Sequence, residues 1–305
     1  MHKFVKKYLY FEKLCLLLQP KKLETATEPF MKENAKTIDI EQVVKSKTGK
    51  ENIPKPLLRW LKKILHEDDM NRFFELYPDV DGMDFIVKAL DFINVTIEVH
   101  GQENLPDDGR LYTFASNHPL GGPDGLAVGK VIGEHYNGHL RFLVNSFLMA
   151  LPPLAPLCVP VSKIGGQSRN LPQQVDAVFS CNDQVIMFPA GLCSRKQKGV
   201  IRDLPWKKTF VQKSIQYQRD VVPMYFEGRN SNRFYNIANL CKFFHIKFNI
   251  AMIFLVDEMF RHKGDTFHLY IGKPIRWQSF DKTRNAASWA QYVKDIVYSL
   301  APVKK

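Results

Sequence analysis

Two residues of complementary chemistry, His118 and Asp124, bracket the segment His118-Pro119-Leu120-Gly121-Gly122-Pro123-Asp124. An imidazole titrates near neutral pH and can take a proton from a hydroxyl. A carboxylate on its other ring nitrogen fixes the tautomer and favours the imidazolium that forms. The pair therefore suits general-base activation of an alcohol, with His118 as base and Asp124 as its orienter. Alone, the segment reads equally as a turn histidine and a helix-capping aspartate, since Pro123-Asp124-Gly125 is good turn chemistry.

Further along, Phe188-Pro189-Ala190-Gly191-Leu192-Cys193-Ser194-Arg195 ends the apolar run Val185-Ile186-Met187. Gly191 lets backbone approach a ligand closely. Ser194 and Arg195 offer a hydroxyl and a guanidinium fork suited to phosphate or carboxylate. From Arg195 to Lys213 the chain also holds Lys196, Lys198, Arg202, Lys207 and Lys208, with Asp203 as the sole acid. Such a stretch attracts phosphates, an acidic carrier protein or anionic lipid, or is simply a solvated helix face. Cys193 reads as a packing residue and Trp206 as a core anchor. His100, His135, His139, His245, His262 and His268 show no metal-ligand grouping, and no metal is expected.

The elements that must carry these residues follow from hydrophobic periodicity. Strands are predicted over 95–99, 111–115, 141–144, 157–161, 184–188, 221–226 and 267–271. Helices are predicted near 124–135, 170–180, 207–219, 231–243 and 285–299. The alternation predicts an α/β fold, a mixed and mostly parallel sheet flanked by helices. Ahead of it, apolar clusters at Leu57–Leu65, Phe73–Tyr77 and Met83–Phe92 predict an N-terminal helical segment over 57–94. These faces pack on the main domain or touch a membrane surface, where Trp60 beside lysines is the interfacial candidate. Residues 1–56 read as tail and linker, the linker from 32 to 56. The first thirty residues read equally as a surface-seeking amphipathic helix or a loose tail.

The chain has 305 residues and a formal charge of +12. The first thirty carry six lysines against three glutamates, which leaves nine of those charges on the remainder. No zinc-finger spacing, aromatic RNA-binding signature or arginine-rich arm accompanies them, so nucleic acid is not the expected partner. Five scattered cysteines, none in CxxC spacing, suit reduced thiols in a cytoplasmic setting. No run of eighteen apolar residues predicts a spanning helix, and the N-terminus lacks a signal-peptide cleavage pattern.

Three blocks in order, Ser116-Asn117-His118 with Asp124-Gly125, Phe188-Pro189-Ala190-Gly191 with Ser194-Arg195, and Val222-Pro223-Met224, resemble the glycerolipid or lysophospholipid acyltransferases. The likeness covers roughly residues 95–275 and marks 95–305 as an acyltransferase domain. Pro-Leu-Gly-Gly-Pro between the histidine and the aspartate is similar to the haemolysin-type branch, which includes enzymes that acylate amino-acid lipids such as ornithine and glycine lipids. That resemblance implies transfer of a fatty acyl chain from acyl-CoA or acyl-ACP to the hydroxyl of a lyso-lipid, with no bound cofactor. Asn117, Gly121, Gly122, Phe188, Pro189, Gly191, Ser194, Arg195 and Lys196 are then the expected substrate-binding residues, Arg195 holding the acceptor head. Backbone N–H groups of the Gly121-Gly122 turn or near Gly191 are the expected oxyanion donors. Lys198, Arg202, Lys207 and Lys208 are the expected contacts to donor phosphates or to an acyl carrier protein.

The protein is expected to act peripherally on the cytoplasmic side of the membrane. Ala190 replaces the family's usual glutamate, which points away from lysophosphatidic acid as acceptor. Transfer to lysophosphatidic acid, and a non-catalytic lipid-binding protein of the same fold, remain as alternatives.

Overall fold

The computed structural model describes residues 37–144, 151–160, 171–244 and 250–303. The first thirty residues, read equally as an amphipathic helix or a loose tail, and Val161, the last residue of a predicted strand, lie outside the described residues. The chain divides into two compact units, the larger made of Asp79–Asn230 with His262–Lys305 and the smaller of the residues up to Pro78 with Ser231–Arg261.

Seven strands form the sheet of the larger unit. They are β1 (Thr96–His100), β2 (Tyr112–Ser116), β3 (Leu140–Val144), β4 (Cys158–Pro160), β5 (Gln184–Met187), β8 (Asp220–Glu227) and β9 (Thr266–Ile271), in the order β1-β9-β8-β2-β5-β3-β4. All neighbours run parallel except β8 and β9. Every residue of β2 is buried, as a central strand with both faces covered requires. Alternation along that strand assigns the covers. Phe114 meets Tyr136 just past α5 (Pro123–His135). Ala115, its neighbour, packs with Phe210 of α7 (Thr209–Gln216) and Val293 of α10 (Ala286–Ser299) on the opposite face.

The helix α4 (Gly82–Phe92) lies on α5 through two glycines. A Cβ on Gly129 would fall 2.6 Å from Phe142 and 3.1 Å from Ile86, and one on Gly133 would fall 2.2 Å from Met83. These bare positions let α4 and β3 press together above α5. The helix α6 (Leu171–Ser180) packs Val175, Val178 and Phe179 against Leu143 and Val185. Within the described residues, each strand and helix predicted from periodicity for the α/β domain has its counterpart.

Two features differ from the sequence reading. The basic stretch after Arg195 is not open chain. It folds as a hairpin of β6 (Arg195–Gln197) and β7 (Val200–Arg202). Lys198 and Gly199, both at positive φ, make the two-residue turn whose twist suits such a hairpin. The predicted 32–56 linker contains α1 (Ile40–Thr48), capped by Asp39 Oδ1, which accepts the N–H groups of Glu41 and Gln42. Ile38, Ile40 and Val44 are its buried anchors, too few among lysines to register as a periodic face.

The smaller unit joins α1 to α2 (Lys55–Ile64), α3 (Glu67–Leu76), α8 (Asn232–Phe243) and α9 (Phe254–Arg261). The helical segment predicted over 57–94 is therefore shared between the units. Trp60 meets Phe254 edge-on at 5.9 Å within the smaller one. Among the described residues no helix is long and apolar enough to cross a membrane.

Candidate active site

The turn from β2 into α5 builds the site. Asn117 faces away from it: its Nδ2 donates to Phe226 O at 2.9 Å and its Oδ1 accepts Phe226 N–H at 2.7 Å, clamping the loop to β8. Next to that clamp, His118 Nδ1 sits 3.0 Å from Asp124 Oδ2. Asp124, at the start of α5, is fully buried, and its carboxylate also accepts N–H groups from Leu120, Gly121 and Gly125 at 2.9–3.0 Å. A carboxylate with so many donors is held in one orientation, which fixes the imidazole in turn. Nε2 is the ring nitrogen left for a substrate.

Burial works to keep this imidazole neutral. The charge of Asp124 and the bond to it, helped by Asp203, outweigh that and raise its pKa above the usual 6.5, while Arg195 pulls the other way. The ring also stacks on Phe188, with centroids 4.3 Å apart. The first two sequence blocks thus meet in space.

Asp203 is the residue the sequence undervalued. Buried at 5% exposure, it accepts Ser194 Oγ–H at 2.6 Å, Trp206 Nε1–H at 2.9 Å and the His118 N–H at 3.3 Å. Ser194 N–H donates to His118 O at 2.7 Å. One carboxylate thereby ties the histidine loop to the second block. Its sequence signal was an isolated acid in a basic run.

His118 borders a cavity of about 740 Å³, within the usual range of ligand cavities. Ile86, Leu126, Phe142, Leu143, Val144, Leu154, Val175 and Met187 make most of its wall apolar. Cys158 also lines it, its thiol pushed up to about 12 by burial and hence unreactive. Gly121, Gly122, Phe188, Pro189 and Gly191 of the expected binding residues border the cavity, as does Lys207. Thr209 and Lys213, not singled out for the site from sequence, border it too.

Other expected contacts lie elsewhere. Asn117, Ser194, Arg195, Lys196, Lys198, Arg202 and Lys208 are not among the cavity's lining residues. Arg195 turns back on its own loop, Nη1 donating to Cys193 O at 2.6 Å and Ser194 O at 3.3 Å. Arg202 pairs with Asp295 at 2.9 Å and lies over the Tyr298 ring. Cys193 is buried, and burial raises its thiol pKa despite Arg195, as expected of a packing residue. Ala190 packs with Trp206 and Phe210 in the apolar cluster under the sheet. Ala190 is not among the residues lining the cavity, so this position presents no charged side chain to it.

The N–H groups expected to face an oxyanion are partly spent, Gly121 on Asp124 and Gly191 on Phe188 O. Gly191, at φ +71°, keeps its bare Cα under Lys207, whose Nζ would lie 2.7 Å from any Cβ there.

The acyltransferase family profile matches residues 43–303. Two curated relatives, each described as a lyso-glycine lipid O-acyltransferase, come from Phocaeicola vulgatus and Bacteroides thetaiotaomicron. They are 55% and 56% identical over 265 residues, covering 86% of this chain and 95% and 97% of theirs. Among solved structures, the chain is similar to the 1-acyl-sn-glycerophosphate (LPA) acyltransferase of Thermotoga maritima, with a TM-score of 0.44 and 17% identity. That match covers 83% of this chain and 86% of the other.

Proposed function

The chain belongs to the acyltransferase family, and from that premise we propose that it moves a fatty acyl chain from a thioester to the hydroxyl of a lyso-glycine lipid. One observation carries the reading: the His118–Asp124 pair stands at the wall of an apolar cavity large enough for an acyl chain. The names of the two relatives support the acceptor.

In this reading His118 Nε2 takes the proton of the lipid hydroxyl as its oxygen attacks the thioester carbonyl. Asp124 favours the imidazolium so formed. The carbonyl oxygen gains charge in the tetrahedral intermediate. The Gly122 N–H, which has no acceptor among the described residues, is the donor the turn retains for it. Collapse breaks the carbon–sulfur bond, and the imidazolium returns its proton to the departing thiolate. The products are an O-acylated lipid and a thiol. Acyl-CoA or acyl-ACP supplies the thioester, and Lys207 beside the cavity holds the carboxylate of the acceptor. A lipid acceptor puts the enzyme at the membrane surface as a peripheral protein, on the cytoplasmic side where acyl thioesters are held.

Incubating purified protein with labelled acyl thioester and a panel of lyso-lipids, with products resolved by mass, tests the proposal. Preferential acylation of the lyso-glycine lipid is expected, lost in His118→Ala. A preference for lysophosphatidic acid would replace the acceptor, and absence of transfer to every lipid would replace the whole reading.

A further inference from the structure

The outer edge of the sheet carries a second constellation, away from the His118 loop. Parallel pairing of β1 with β9 sets Glu98 opposite His268 and His100 opposite Tyr270. Residues two apart on a strand share a face, so these four side chains stand together. On β9 the alternate residues Phe267, Leu269 and Ile271 are the buried ones, which leaves this group on the outward side.

The ligand-type atoms converge. His100 Nε2 lies 3.4 Å from His268 Nδ1, and Glu98 Oε2 lies 3.3 Å from that same nitrogen. One such atom from each residue lies within 4.8 Å of the others. Those separations are long for hydrogen bonds to nitrogen. They equal the roughly 3.3–3.4 Å between ligands that each sit about 2.0–2.1 Å from one tetrahedral zinc ion. The rings are also held in advance. His100 stacks on Tyr270 at 4.4 Å with planes 12° apart.

We propose that Glu98, His100 and His268 form a binding site for a zinc-class divalent ion, with water in the fourth position. Two imidazoles and a carboxylate suit zinc rather than the oxygen-preferring magnesium or calcium. The ion pins β1, an edge strand with one neighbour, to β9. In the sequence Glu98 and His100 are near neighbours but His268 lies 168 residues beyond His100, so no spacing rule detects the set; the strand register brings it together.

Titrating chelator-stripped full-length protein with zinc alone, followed by competition with a chromophoric chelator and by melting temperature, tests the site. The expected result is one ion more per chain than the His100→Ala/His268→Ala variant binds. Saturating zinc should raise the wild-type melting temperature by about 2 °C or more, and not that of the variant. His100→Gln and His268→Gln, which keep a polar surface side chain, should show the same loss. His139→Ala, on an exposed histidine of the β3 end, should bind as wild type. Equal binding and equal thermal shifts in wild type and the double variant would overturn the proposal. So would cobalt-loaded protein whose thiolate charge-transfer bands persist in the double variant, because the ion would then sit on cysteines.

Discussion

The imidazole of His118 lies over the phenyl ring of Phe188, centroids 4.3 Å apart and planes 28° from parallel. Asp124 fixes the imidazole through one nitrogen, and Phe188 fixes its plane, so two separate elements define where Nε2 points. Removing the ring leaves the hydrogen bond but frees the tilt. Phe188→Ala should lower kcat by about 10- to 100-fold, because small misplacement of a catalytic group is costly. The KM for acyl donor should change less. Steady-state kinetics that showed a KM effect alone would assign Phe188 to binding instead.

The acid limb of the pH profile follows from the raised pKa of His118. A base acts when neutral, so kcat/KM should rise with pH through a pKa above 6.5. Asp124→Asn removes the charge that raises it. The limb should then move to lower pH, while the rate falls about 10²- to 10⁴-fold. Stability carries the opposite sign. A pKa raised on folding gives stabilisation that is complete below 6.5 and is lost as pH climbs through the folded value. Melting curves across that window should decline more steeply in wild type than in Asp124→Asn. A limb that stays in place in the variant removes His118 as the titrating base.

Much of this was legible before any coordinates. Strand patterns at Leu111–Ala115 and Val185–Met187 placed both blocks at strand ends, and parallel pairing of β2 with β5 makes those ends neighbours. What was hidden depends on where side chains turn. Arg195 donates to its own loop, Ala190 packs under the sheet and Asn117 clamps β8. Sequence identity gives a donor or acceptor but not its direction. Asp203 was hidden because its partners, His118, Ser194 and Trp206, come from three different loops, of which only the last is its own. The hairpin after Arg195 was hidden because charged residues around a Lys-Gly turn carry no hydrophobic period.

Two lysines border the cavity, and only one is paired. Lys213 contacts Asp176, whereas Lys207 has no acidic partner among the described residues. Its ammonium beside Gly191 is thus available to an anionic substrate group. Lys207→Met should raise the KM for a lyso-glycine lipid about tenfold, the loss of one charge-assisted bond, with kcat little changed. If the KM for the thioester rises instead, Lys207 serves donor phosphates.

The cavity wall should set the accepted chain length. Val175 of α6 borders the cavity and is buried against Leu143. Val175→Phe adds bulk to that wall without adding polarity. Long-chain thioesters should lose at least about tenfold in kcat/KM, since a few methylenes in an apolar pocket carry that much discrimination. Short-chain thioesters should be spared. Equal losses for short and long donors would mean general distortion of the fold rather than a shortened cavity.

Arg219 tests the scaffold apart from the chemistry. It is 1% exposed, at the entry to β8. Its guanidinium donates to Phe179 O at 2.9 Å, Cys181 O at 2.5 Å, Asp183 O at 2.8 Å and Tyr112 O at 3.4 Å. Those carbonyls belong to the end of α6, the approach to β5 and the start of β2, so one side chain knits three segments. Phe179 and Cys181 also lie at the negative end of a helix, which favours a cation there. Arg219→Leu leaves the carbonyls buried without their donor, and should cost about 3 kcal/mol or more in denaturant unfolding. Arg219→Lys should recover only part of it, because a single ammonium cannot reach what a planar fork spans. Folded variant kept cold should retain its transfer rate, as these residues are not among those lining the cavity. A lysine variant as stable as wild type would mean that charge at the helix end, and not the fork, holds this corner together.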